Sequence, residues 1–175
     1  MDVILTKWIA ISGAVKIAEA KEQELRAFFS NKFVDNVFSY KEFISCEEDI
    51  CIAKELNAVK TMPVGKFGIY GALWEFGKAL NCGLDIELRD IPVKQEIIEL
   101  SEFVDVDPYM LESFGSVLIA AENGNAIITA LKNAGIKATY IGCTTKSNDR
   151  LILDGEHKRF IEPGRQDELD RIFKK

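Results

Sequence analysis

From Met62 to Leu88 the chain reads MPVGKFGIYGALWEFGKALNCGLDIEL, and its pattern changes period partway through. Ala72, Leu73, Trp74, Phe76, Ala79 and Leu80 are apolar on nearly every face of a helix, and such a helix belongs inside a fold. Asn81, Cys82 and Gly83 stop it. Leu84, Ile86 and Leu88 then alternate with Asp85 and Glu87, as a half-buried strand requires. Gly65, Gly68 and Gly71 recur every third residue at the front of the helix, where free first-turn N–H groups can hold an anion. The expectation is a buried helix whose glycine-lined start faces a cleft.

Val3, Ile4, Leu5, Trp8, Ile9 and Ile11 suggest an opening strand interrupted at Thr6 and Lys7. It begins almost at the first residue, which suggests a missing upstream half. Ser12 then reads as the cap of a helix reaching Phe29, with a solvated charged face from Glu19 to Arg26. Phe33 to Ile44 carries helical spacing, and Ser45 before Glu47, Glu48 and Asp49 reads as a cap with acids in the first turn of a helix to Leu56. Ala58, Val59 and Thr61 are strand material. Pro92 and Pro108 each suggest a helix start, the second a short helix through Leu111. Ser116 to Ala121 reads as a buried strand and Ala126 to Ala134 as a helix ended by Gly135. Lys137 to Ile141, Arg150 to Leu153 and Lys158 to Ile161 read as strands, with a polar loop from Gly142 to Asp149 and a tight turn at Asp154-Gly155. Asp167 to Phe173 closes as a short helix. Strands and helices interleave without a strict βαβ rhythm, so the fold class is α+β, a mixed β-sheet layered with helices.

With 175 residues, 47% of them apolar, the chain suits one compact domain with a substantial core. Its formal charge of −6 is spread along the chain and argues against nucleic acid, which demands clustered Lys and Arg. No run approaches a membrane span and no leader opens the chain, so a cytoplasmic location is expected. Four cysteines without a CxxC pair and a lone His157 make a metal site improbable.

The glycine spacing matches neither the dinucleotide fingerprint nor the P-loop, and close helix packing alone would produce it. Lys66 adds charge beside it. Ser113-Phe114-Gly115-Ser116, ahead of a buried strand, could line a cleft or form an ordinary turn. Glu75 projects from the apolar helix, so its carboxylate is either a polar site residue or half of an ion pair. Cys143 lies beside no histidine that could serve as its base, which makes it a poor nucleophile.

The ordered set Gly68-Ile69-Tyr70-Gly71-Ala72-Leu73-Trp74-Glu75, Gly83-Leu84, Ile91-Pro92-Val93, Asp107-Pro108-Tyr109, Gly115-Ser116-Val117-Leu118 and Gly135 to Gly142 resembles the C-terminal domain of the AIR synthase superfamily. The branch it most resembles is that of the AIR-synthase-related proteins similar to the hydrogenase maturation protein HypE. The resemblance implies ATP and magnesium for the complete architecture, held mainly by an N-terminal ATP-binding domain that commonly dimerises; no cofactor is expected in this chain alone. It also departs from the family. Pro63 stands where an aspartate usually precedes the glycine pair, Phe67 stands where the pair begins, and the tail lacks the terminal cysteine of the hydrogenase factor.

Two functions of different class follow. One is a substrate-side domain, not catalytic alone, in which Gly65, Lys66, Phe67 and Gly68, with Glu75, Ser113 and Gly115, line a phosphate or ligand cleft facing the absent domain or a separate chain carrying it. The other is a stand-alone binding or regulatory module that has kept the fold and lost ATP-dependent chemistry. Surface left uncovered by an absent domain would favour a homodimer.

Overall fold

A computed structural model describes residues 1–164 and 168–173. The chain runs through β1 (Asp2–Thr6), α1 (Ile11–Ala20), α2 (Glu22–Phe28), α3 (Asn31–Ser39), α4 (Glu47–Glu55), β2 (Lys60–Pro63), α5 (Gly68–Leu80) and β3 (Gly83–Glu87). It continues as α6 (Gln95–Val104), β4 (Val117–Ala121), α7 (Gly124–Asn133), β5 (Ala138–Thr145), β6 (Arg150–Asp154), β7 (His157–Phe160) and α8 (Glu168–Phe173). The seven strands form one mixed sheet in the order β2-β4-β1-β5-β3-β6-β7. Every neighbouring pair is antiparallel except β3 and β6. The α+β expectation holds.

Alternation along each strand sorts the apolar residues into two layers. Val3, Leu5, Leu118, Ile86 and Ile152 join the larger core with residues of α1, α3, α5 and α6. Ile4, Val117 and Ile119 on the reverse face pack with Ala53 of α4 and with Ile127 and Leu131 of α7. These two helices pack on β2, β4, β1 and β5. In α5, Ile69, Leu73 and Phe76 are completely buried while Glu75 and Lys78 reach solvent, and Asn81 ends the helix in the left-handed region.

Several boundaries differ from the sequence pattern for identifiable reasons. The first strand stops at Thr6, because Lys7 and Ala10 take positive φ and turn Trp8 and Ile9 into the core before Ile11 opens α1. Ser12 does not cap that helix; its Oγ accepts a hydrogen bond from Phe114 N. The expected single helix to Phe29 is broken at Lys21 into α1 and α2. Cys46 replaces Ser45 as the residue before α4, and Asp49 is buried against Lys7, not free at the helix start. Pro92 precedes α6 by a longer turn. Asp107-Pro108 starts no helix, since Asp107 Oδ1 accepts from Tyr109 N and holds a turn. The polar loop after Ile141 is shorter than expected, since β5 runs on to Thr145 and places Cys143 inside a strand. Asp167, expected at the start of the last helix, lies outside the described residues.

Candidate functional site: the cleft beside the central helix

The segment from β2 into α5 is built by its own backbone. Val64 N donates to Ser116 O at 2.9 Å, and Gly65 O accepts from both Ser113 N at 3.1 Å and Gly68 N at 3.2 Å. Gly68 sits at φ +64, and a Cβ there would lie 2.4 Å from the Tyr109 carbonyl oxygen. Glycine is required twice over, for conformation and for space. Ile69 N at 2.9 Å and Tyr70 N at 3.4 Å both donate to that same carbonyl. The first-turn N–H groups that the sequence leaves free are therefore occupied, and a peptide oxygen stands where an anion would bind.

Beside this closed helix start lies a cavity of about 360 Å³. Its walls include Phe67, Tyr70, Met110, Arg159 and Gly164. Gly71 permits this arrangement, because a Cβ there would come within 2.6 Å of Phe67 Cβ and 3.4 Å of Gly164 Cα. The Tyr70 and Tyr109 rings stack with centroids 5.4 Å apart and planes 10° from parallel. The Arg159 guanidinium carbon lies 4.7 Å from the Tyr70 ring centroid, and its Nη2 donates to the Tyr70 hydroxyl. Burial pushes the Tyr70 phenol well above its ordinary range, outweighing the opposite pull of Arg159, and burial also raises Tyr109. Both phenols stay neutral near pH 7. The wall thus offers an aromatic ring, a hydroxyl and a permanent cation, which suits a flat group bearing an acceptor, and the carboxylate residues Asp107 and Glu162 also line it.

The sequence-predicted residues divide. Gly65, Lys66, Phe67 and Gly68 lie together on the loop before α5, with Lys66 and Phe67 exposed. Ser113 lies beneath them but is fully buried: its Oγ accepts from Ala10 N at 2.7 Å and donates to Leu111 O at 2.8 Å. It ties the start of α1 to the loop and lines no cleft. Gly115 belongs elsewhere, its carbonyl accepting from Lys7 Nζ at 3.1 Å, alongside Ser45 O at 2.6 Å and Asp49 Oδ2 at 2.8 Å. Glu75 is exposed on α5 and sits 3.8 Å from Lys78, the ion-pair alternative. Cys143 lies inside β5 and pairs in register with Asp85 of β3. Among the described residues, no group of three or more His, Cys, Asp or Glu side chains could hold a metal.

Tyr109 and Arg159 are the functional candidates that the pattern of the sequence does not single out. Both reach α5 from segments distant in the chain, and only Tyr109, within Asp107-Pro108-Tyr109, carried any signal through the resemblance.

Residues 3–154 match the family described as AIR synthase related protein, C-terminal domain. Similar solved structures include E. coli HypE, a hydrogenase maturation protein, at 20% identity and TM-score 0.77, covering 98% of this chain and 52% of that one. HypE in complex with ATP is similar at 13% identity and TM-score 0.67, covering 94% and 51%. Thiamine monophosphate kinase from Aquifex aeolicus is similar at 14% identity and TM-score 0.65, covering 93% and 51%. The chain spans about half the length of each of these structures. No curated protein matches the sequence.

Proposed function

From the premise that this chain belongs to the AIR synthase related family and carries its C-terminal domain, we propose that it acts as the substrate-side domain of an ATP-dependent protein similar to HypE, not catalytic by itself. The observation that carries this reading is the occupied first turn of α5. The first turn of α5 does not offer ATP, implied by the resemblance, a phosphate site: its Ile69 and Tyr70 amides are engaged by the Tyr109 carbonyl, and Pro63 stands in place of the expected aspartate. When bound in the complete architecture, ATP supplies the phosphoryl group, and in this reading it is held by an N-terminal ATP-binding domain or a separate chain carrying it. Phe67, Tyr70 and Arg159 then form the wall against which a substrate is oriented.

The test is ADP release from ATP and magnesium. Background rates are expected for this chain alone, with turnover appearing when an ATP-binding N-terminal domain of a HypE-like protein is added. Robust hydrolysis by this polypeptide alone overturns the reading.

Pro63 also favours the second reading, a stand-alone binding or regulatory module that keeps the fold without ATP-dependent chemistry. The neighbouring coding sequence discriminates the two. Acidic metal-site motifs upstream support the enzyme domain, and their absence supports the module.

A further inference from the structure

The reverse face of the sheet is layered by α4 and α7 over β2, β4, β1 and β5, and the strands beyond present a patterned surface. Pairing registers align two rows across β3, β6 and β7: Asp85 with Leu151 and Phe160, and Glu87 with Leu153 and Lys158. Ile86 and Ile152 point into the larger core, so strand alternation turns both rows to the opposite face. Leu151 and Leu153 are only half-buried there, Glu87 and Lys158 are exposed, and Phe160 is 68% exposed.

Both rows have an apolar centre and an acid at one margin; at the other margin the Glu87 row ends in a base, Lys158, and the Asp85 row in an aromatic ring, Phe160. A two-fold axis running along β6, in the plane between two facing copies, reverses the strand order without moving the rows out of step. It lays β6 on β6 and β3 on β7. Leu151 and Leu153 then meet their own counterparts, and Glu87 meets Lys158 of the second copy twice by symmetry. Sheets facing at about 10 Å leave room for side chains of that length to pair. A partner surface of a single sign would instead set a like charge against Glu87 or Lys158.

We propose that this half-face of β3, β6 and β7 is the docking surface for a second copy of this chain. Apart from Phe160, which also lines the cavity, the interface lies across the sheet from Phe67 and Arg159, so it goes beyond the functional reading above and stands or fails separately from ATP turnover.

Sedimentation velocity over a concentration series of the full chain tests it. The wild type is expected to move from monomer to dimer as concentration rises. Glu87→Lys and Lys158→Glu should each weaken the dimer by about tenfold or more through like-charge contacts, and the doubly reversed protein should recover it. Leu153→Lys, which sets two ammonium groups against each other at the axis, is an independent break. A wild type that stays monomeric at every concentration, single reversals that leave the dimer intact, or a double reversal without recovery overturns the proposal.

Discussion

Lys7 Nζ lies 2.8 Å from Asp49 Oδ2 with both side chains less than a tenth exposed, so an ion pair joins the end of the first strand to the first turn of α4. All three ammonium hydrogens are engaged, on Asp49, Ser45 O and Gly115 O, while Asp49 Oδ1 has no partner among the described residues. Asp49→Ala should leave a buried, under-compensated cation and cost about 3–5 kcal/mol. Lys7→Met combined with Asp49→Leu should recover much of that loss. Urea unfolding of the single and paired variants measures both, and equal losses in the two would refute the pairing.

Gly68 and Gly135 separate conformation from space. Both have positive φ, but a Cβ on Gly135 meets nothing within 4 Å whereas one on Gly68 strikes the Tyr109 carbonyl. Gly135→Ala should cost about 1 kcal/mol, the left-handed penalty alone. Gly68→Ala should cost clearly more, because α5 must move off the loop that seals it. Unfolding midpoints of the two variants decide this.

Ser113→Ala should act on stability and not on ligands. The substitution strips Ala10 N of its buried acceptor, at a cost of about 1–3 kcal/mol. Any small molecule found to bind beside Tyr70 should bind this variant with unchanged affinity at temperatures where it is folded. Lost affinity with intact stability would return Ser113 to the site.

Tyr40 and Tyr70 give the fold a dependence on alkaline pH. Burial holds both phenols above their ordinary value of 10, helped at Tyr40 by its hydrogen bond to Glu96. A raised folded pKa means that the folded chain keeps its proton more tightly than the unfolded one. The contribution is complete below about pH 10 and declines as pH rises past it. Urea midpoints should therefore fall above that pH, and Tyr40→Phe should flatten the decline. A midpoint that rises there would contradict the sign.

How much was legible follows from how local each signal is. The alternation of β3, the Asp154-Gly155 turn between β6 and β7, and the Asn81 stop of α5 depend on neighbours in sequence, and the structure keeps all three. The first strand is shorter than its apolar pattern because Lys7 and Ala10 turn the chain without glycine. What holds that turn, at Asp49 and Gly115, comes from far along the chain. The candidate site divides the same way. The loop from Gly65 to Gly68 is visible as a motif, but the carbonyl closing it and the guanidinium beside it arrive through tertiary contacts.

The single parallel pairing has a kinetic consequence. β6 joins the sheet only along β3, and the two segments are separated by α6, β4, α7 and β5 in the chain. Closing so long a connection is slow, so the β6–β7 hairpin is the piece that must wait for the others before it can settle. Being held along one border, it is also the piece most readily peeled away, and amide exchange in His157–Phe160 should outpace that in β1 and β4.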